Sequence, residues 1–171
     1  MLEFTHPAKK YENDILAYRH EVILSGGDFD GTAGLGNFNE INTWLEFIHL
    51  MEPARAEKYG YYPTLVYLAF DGDMLLGICN IRLDNGEEIR RRAGHIGYHV
   101  RPSMRQRGYG KLILAHAVRV CAEHGIDCPV VCTLPDNLPS QKTAAACGFI
   151  SDGNGILENG EAVCRFVFKK S

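Results

Sequence analysis

Several features that mark other classes of protein are missing from this sequence of 171 residues. No apolar run approaches the roughly 18 residues of a membrane-spanning helix, and the N-terminus lacks the apolar core that a signal peptide needs. The net charge is only −3, which gives no overall attraction to nucleic acid or to a membrane surface. The six cysteines include no Cys-x-x-Cys pair, which disfavours a zinc or dithiol site. We therefore expect a cytoplasmic protein with reduced cysteines that has neither nucleic acid nor membrane as a partner.

What is present is the composition of one folded domain. Hydrophobic residues make up 46% of the chain and charged residues 23%, so a sizeable core is expected and disorder is not. Apolar periodicity predicts helices over residues 7–24, from about 39, over 107–124 and over 137–146, and strands over 64–70, 74–83, 94–100, 129–134 and a last pair between 148 and 168. The strand–helix–strand step around 107–124 implies one right-handed parallel crossover in a mostly antiparallel sheet. The predicted fold class is therefore mixed α/β, in a single domain.

One local motif carries a chemical signal. A strand ending at Val100 leads into a loop with the spacing Arg105-x-x-Gly108-x-Gly110, and the loop opens the long helix over 107–124. Free N–H groups and the helix dipole make a helix N-terminus a binding site for phosphate, and glycines let the backbone approach the phosphate oxygens. Arg105 and Arg107 can add charge-assisted hydrogen bonds. The motif predicts a pyrophosphate site, although a solvated helix start is the alternative.

Two commoner phosphate loops do not fit this motif. A Walker loop needs Ser or Thr after its lysine, whereas Leu112 follows Lys111, and a dinucleotide fingerprint needs a further glycine. The pattern instead resembles the acyl-CoA-binding signature (Arg/Gln)-x-x-Gly-x-(Gly/Ala) of the GNAT superfamily of N-acetyltransferases. Asp136-Asn137-x-x-Ser140 and Gly148-Phe149 follow downstream in an order similar to that family, in a bacterial-type branch.

The resemblance covers residues from about 64 to 168, which it assigns to cofactor binding, and leaves residues 1–60 as a helical region on the substrate side. It implies a GNAT-like fold and acetyl-CoA as co-substrate, without a metal. The expected cofactor contacts are the backbone of the strand end, the pyrophosphate loop and the start of the short helix: His99, Val100, Arg101, Arg105, Gln106, Arg107, Gly108, Tyr109, Gly110, Lys111, Asn137 and Ser140.

The resemblance also implies direct attack of a primary amine on the thioester in a ternary complex. His95 is the first candidate for the general base, since the ordinary pKa of histidine, about 6.5, lies near working pH. His99, Glu87 and Glu88 are the alternatives. The acceptor is left open between a small-molecule amine, a peptide N-terminus and a lysine side chain. We expect the loop over 26–39 to help select it, because loops of this length are often functional.

The general acid is less clear from the sequence. Ala144 stands at the position where many members of the family have a tyrosine that protonates the leaving thiolate. Ser140, one turn earlier, is the replacement candidate; Cys147 is the next, and solvent is a third source of the proton. The missing tyrosine keeps a non-catalytic CoA-binding or sensing module as the alternative function. A metal at His95 and His99 has no recognisable third ligand, Tyr98 is expected in the core, and a homodimer is left open.

Overall fold

The computed structural model describes residues 2–156 and 160–169 of the chain. Within these ranges the strands are β1 (Glu3–Thr5), β2 (Thr64–Asp71), β3 (Met74–Arg82), β4 (Ile96–Val100), β5 (Val130–Thr133), β6 (Phe149–Ile156) and β7 (Ala162–Phe168). The α-helices are α1 (Glu12–Leu24), α2 (Ile41–Leu50), α3 (Tyr109–Glu123) and α4 (Leu138–Ala146). The predicted elements are therefore found, together with the short strand β1 and a π-helical turn, Ile89–Ala93, which the sequence did not indicate.

The strands form two antiparallel sheets, with the orders β1-β2-β3-β4 and β5-β7-β6. The mixed α/β class is confirmed, but the crossover through α3 connects two sheets rather than two neighbouring strands of one. Strands β4 and β5 start side by side, where the His95 backbone N–H donates to the Val130 carbonyl at 2.7 Å. Beyond this bond the described strands form no ladder with each other, and a cleft opens between them.

Alternation along β3 and β4 decides which side chains face which helices. Asn80 lies opposite Gly97, and Ile78 lies opposite His99. Ile78 belongs to the core under α1 and α2. Asn80 and Arg82 of β3 therefore lie on that face of the sheet, together with their neighbours Gly97 and His99 of β4. Ile81, Ile96 and Tyr98 lie on the opposite face, under α3 and α4.

The two cores follow from amphipathic helices on opposite faces of the first sheet. Trp44 of α2 is fully buried, and its indole N–H donates to the Ala33 carbonyl at 3.1 Å. On α3, Ala115 and Ala122 are exposed, and the buried stripe consists of Ile113, Leu114, Ala117, Val120 and Cys121. Within the described part of the chain, every helix is too short or too polar to reach across a bilayer.

The segment between α1 and α2 crosses the middle of β4. Gly31 lies so close to this strand that a Cβ atom there would collide with the Tyr98 backbone. Gly97, in turn, leaves room for the Asn80 side chain and the Gly31 backbone. Two glycines thus allow a close approach that brings Asp30 to the edge of the cleft.

Candidate active site

The cleft between β4 and β5 contains a cavity of about 310 Å³. One wall belongs to the α1 side of the sheet and includes Asp30, Asn80 and Arg82. The opposite wall includes Tyr98 and Ser140. A larger depression of about 1170 Å³ lies at the surface beside the π-helical turn and β6, away from the predicted phosphate loop. The smaller cavity is the candidate active site because it adjoins β4 and α4, which carry the residues of the sequence motif.

The predicted phosphate loop has the geometry of an anion site. Gln106 has φ 63° and Gly108, which caps α3, has φ 85°. In the described chain, the backbone N–H groups of residues 106–110 donate to no backbone carbonyl. Left-handed residues at such a turn direct successive N–H groups to one concave side, which binds anions. A left-handed non-glycine residue costs of order 1 kcal/mol or more and commonly marks a functional turn.

Arg105 supports this loop from behind. Its Nε donates to the Val100 carbonyl at 3.2 Å, and its Nη2 donates to His99 Nε2 at 2.9 Å. The guanidinium of Arg105 therefore donates hydrogen bonds to groups of the protein itself. The backbone N–H groups and the exposed side chains of Arg107 and Lys111 are the groups that the loop offers to a phosphate.

Strand β4 offers its backbone rather than its inner side chains to the cleft. It is an edge strand that pairs with β3 on one side only. His99 is buried between the Tyr18 hydroxyl at Nδ1 and Arg105 at Nε2, and burial, followed by the charge of Arg105, lowers its pKa to about 4. Arg101 is fixed to Glu21 of α1 at 2.5 Å. The free edge of β4 beyond His95 is thus what can pair with the amide groups of a pantetheine arm.

His95 occupies a place that does not favour the predicted role of base. Its ring is fully buried: Nδ1 accepts from the Val130 N–H at 3.0 Å, and Nε2 lies 3.2 Å from Asn85 Oδ1. Burial, followed by the charges of Arg90 and Arg82, lowers its pKa to about 4. With Nδ1 as acceptor, Nε2 carries the proton and donates it to Asn85, so neither nitrogen has a free lone pair. The ring fastens the start of β4 to the start of β5.

The alternative bases named from the sequence lie outside the cavity. Glu87 is paired with Arg91 at 3.0 Å, and Glu88 is paired with Arg92 at 3.5 Å. Both arginines belong to the π-helical turn, and the glutamates directly precede it. Asp30, which the sequence did not single out, is the one carboxylate among the described residues that line the cavity. Burial raises its pKa, and the neighbouring charges of Asp28 and Glu161 raise it further. The one signal in the sequence was the length of the loop over 26–39, which indicated a functional loop but not Asp30 itself.

The predicted acid Ser140 does line the cavity, and it has a partner. Its Oγ lies 3.2 Å from the phenol oxygen of Tyr98, and burial raises the pKa of that phenol. The Ser140 N–H donates to Oδ1 of Asn137, the predicted cofactor residue that caps α4. Ala144 is fully buried in the core behind them. Tyr98 was predicted as a core residue, but its hydroxyl reaches the cleft from the strand side.

Two polar atoms of residues that line the cavity lack a partner. Asn80 Oδ1 and Thr133 Oγ1 are buried and have no hydrogen-bond partner within the described residues. A buried polar group without a partner costs about 1–3 kcal/mol, so a donor placed against either atom would be stabilising. Cys147, the second candidate acid, lies outside the lining and its thiol is 3.7 Å from the Lys111 carbonyl. No three potential metal ligands come together in residues 2–156 and 160–169.

Comparison with known proteins agrees with this geometry. The profile of the acetyltransferase (GNAT) family matches residues 36–149, which is more than half of the chain. The chain therefore belongs to the GNAT family, and the fold predicted from the sequence is confirmed. It is an acetyltransferase by this membership. Comparison with curated protein sequences gives no match.

Solved structures of the same fold extend over nearly the whole chain. The microcin C7 self-immunity acetyltransferase MccE, in complex with acetyl-CoA and AMP, has a TM-score of 0.71 at 16% identity, over 99% of this chain and 92% of that one. RimL, a ribosomal L7/L12 α-N-protein acetyltransferase in complex with CoA, has a TM-score of 0.70 at 16% identity, over 97% and 92%. A spermidine N-acetyltransferase SpeG chimera from Vibrio cholerae and hSSAT has a TM-score of 0.65 at 12% identity, over 98% and 95%. At these identities the likeness shows the shared fold.

Proposed function

We propose that the protein transfers an acetyl group from acetyl-CoA to a primary amine of a small acceptor, by direct attack in a ternary complex. The observation that carries this proposal is the run of backbone N–H groups over residues 106–110, at the start of α3 and next to the free edge of β4, which donate to no backbone carbonyl in the described part of the chain. A pyrophosphate bound there satisfies those N–H groups and the helix dipole together.

Acetyl-CoA fits the arrangement on both sides of the loop. The pantetheine arm pairs with the free edge of β4, and its thioester end enters the cavity between β4 and β5. The cavity volume of about 310 Å³ suits that end together with a small acceptor better than a folded protein segment. The polar groups of Asn137 and Ser140 lie along the opposite wall, where the sequence resemblance placed contacts to the arm.

The reaction needs one proton removed and one supplied. The amine nitrogen attacks the thioester carbonyl carbon, a C–N bond forms and the C–S bond breaks. We assign removal of the amine proton to Asp30, directly or through water, because its carboxylate lines the acceptor side and its pKa is raised. Tyr98, paired with Ser140 on the opposite wall, supplies a proton to the leaving thiolate. The catalytic part of Ser140 thus remains a proposal, while Asp30 replaces His95 as our candidate base.

One experiment tests the proposal in two stages. Calorimetry first measures CoA binding, and release of free CoA thiol is then followed with acetyl-CoA and a panel of monoamines, amino acids, polyamines and short peptides. We expect CoA binding and amine-dependent thiol release, with the N-acetyl product identified by mass spectrometry. Binding without release by any amine would favour the non-catalytic CoA-binding module. Absence of CoA binding would overturn both functions.

A further inference from the structure

We propose that the acceptor is a small zwitterion, in which the amine to be acetylated is accompanied by a carboxylate or phosphate group that Arg82 binds. This inference rests on the proposed function, since it concerns the acceptor half of the same cavity. It specifies a substrate class: amino acids or aminoalkyl phosphates rather than simple amines or polyamines.

The first step of the argument is the place of Arg82. It lies at the end of β3, on the face of the sheet that carries Asn80, and its side chain lines the cavity. Its Nη1 donates to the carbonyls of Gly94, at 3.1 Å, and Ala93, at 3.4 Å. Burial lowers the pKa of its guanidinium, and guanidinium groups stay charged even so. Arg82 therefore holds a positive charge against the cavity.

The second step is the lack of a counter-charge. Arg82 forms no ion pair with any described carboxylate, whereas two other sheltered arginines do. Arg165 is paired with Asp152 at 2.8 Å and Arg101 with Glu21 at 2.5 Å. Removing a charge from water without an opposite charge is strongly unfavourable, so sheltered arginines are normally paired with an anion. In this cavity the fitting partner is an anionic group of the ligand.

The third step is the distribution of the other polar groups. Arg92 adds a second cation at the exposed rim of the cavity, with its charge partly neutralised by Glu88 at 3.5 Å. The carboxylate of Asp30 lines the same cavity and attracts the ammonium form of an amine. A molecule with both an ammonium and an oxyanion satisfies these groups together, whereas a polyamine would bring further positive charge to Arg82.

The experiment compares pairs of acceptors in which one member carries an anionic group and the other does not, at a pH where the amine basicity of each is known. The pairs are β-alanine with β-alaninamide, L-serine with L-serinamide, and O-phosphoethanolamine with ethanolamine, each at saturating acetyl-CoA. We expect the anionic member of at least one pair to have a kcat/KM roughly 10-fold or more above its neutral partner, as for a charge-assisted hydrogen bond. Whether the preferred pair carries carboxylate or phosphate identifies the anion.

Variants tie this preference to Arg82. Arg82→Gln keeps a donor for the two carbonyls but removes the charge, and we expect it to abolish the difference within each pair without changing the KM for acetyl-CoA. Arg82→Lys, which keeps the charge, should retain part of the preference. Arg91→Gln is the matched control, because Arg91 is an exposed arginine of the adjacent turn and lies outside this cavity. Circular dichroism checks that each variant is folded.

A binding measurement extends the test to compounds that bind but are not acetylated. The melting temperature of the CoA-saturated protein is measured with each member of each pair; stabilisation by an anionic member that Arg82→Gln removes supports the inference. Equal or better use of the neutral members, a preference that survives in Arg82→Gln, or no anion-dependent turnover and stabilisation in the wild-type protein would overturn it. Failure of the proposed function itself is recognised separately, by absence of CoA binding or of thiol release with any amine.

Discussion

The phenol oxygen of Tyr98 on β4 lies 3.2 Å from the hydroxyl oxygen of Ser140 on α4, on one wall of the cavity. The family position for a tyrosine on α4 is Ala144, which is fully buried here. A hydroxyl on β4 thus lies beside Ser140 of α4 in the lining of the cavity. The pairing gives Ser140 a partner that the sequence pattern of α4 alone did not show.

The first prediction follows from this pair. Tyr98→Phe should lower kcat by roughly 10²-fold, the usual contribution of a positioned acid, with little effect on the KM for acetyl-CoA. If the two hydroxyls act as one unit, Ser140→Ala combined with Tyr98→Phe should cost little more than Tyr98→Phe alone. Steady-state kinetics of the two single variants and the double variant measures this, with Tyr67→Phe on β2 as a control outside the cavity. Strictly additive losses would show that the two hydroxyls act independently, and a normal kcat in Tyr98→Phe would make solvent the proton source.

The second prediction concerns the phosphate loop. Gly108 and Gly125 both have left-handed backbones, with φ 85° and 75°, and a Cβ at either would meet open space. They lie at opposite ends of α3, so Gly108→Asp and Gly125→Asp strain the backbone similarly but place the carboxylate at different poles. Only Gly108→Asp should weaken CoA binding, by roughly 100-fold or more, because the carboxylate repels the pyrophosphate. Calorimetry compares the two variants, and an equal loss of affinity in both would reject the loop as the phosphate site.

How far the sequence predicted this site depends on the range of each contact. The turn from Arg105 to Gly110 was predictable because its glycines and the helix start are local in sequence, and its use as a phosphate site stays a prediction. The environment of His95 was not predictable, because its burial and its contact with Val130, on a different sheet, are not visible in the sequence; burial and the charges of Arg90 and Arg82 lower its pKa to about 4. Asp30 and Arg82 come together only because Gly31 and Gly97 allow a loop to cross β4. No pattern within either segment indicates that approach.

The third prediction concerns the acidic limb of the pH–rate profile. Asp30 acts as a base only when ionised, so kcat should fall as the pH falls through its pKa, which burial and the charges of Asp28 and Glu161 raise. Asp30→Asn should lower kcat roughly 10²-fold or more and remove this limb. Asp28→Asn should keep most of the activity and move the limb to lower pH, because one of the charges that raises the pKa of Asp30 is gone. An unchanged acidic limb in both variants would exclude Asp30 as the base.

The last prediction separates a structural from a catalytic role for His95. The folded-state pKa of about 4 lies below the ordinary histidine value of about 6.5, so the unfolded chain binds a proton in this window that the folded protein does not. The stability contributed by neutral His95 is therefore complete above about pH 6.5 and is lost as the pH falls towards 4, by up to about 1.4 kcal/mol per pH unit. His95→Gln can keep the acceptor for the Val130 N–H and the donor for Asn85, and it should make the free energy of unfolding fall less steeply with acid while kcat stays within about 10-fold of the wild type. Urea unfolding at pH 7, 6 and 5 measures this, with the exposed His20→Gln as control. A hundredfold loss of kcat, with the acid dependence of unfolding unchanged, would instead return His95 to the role of general base.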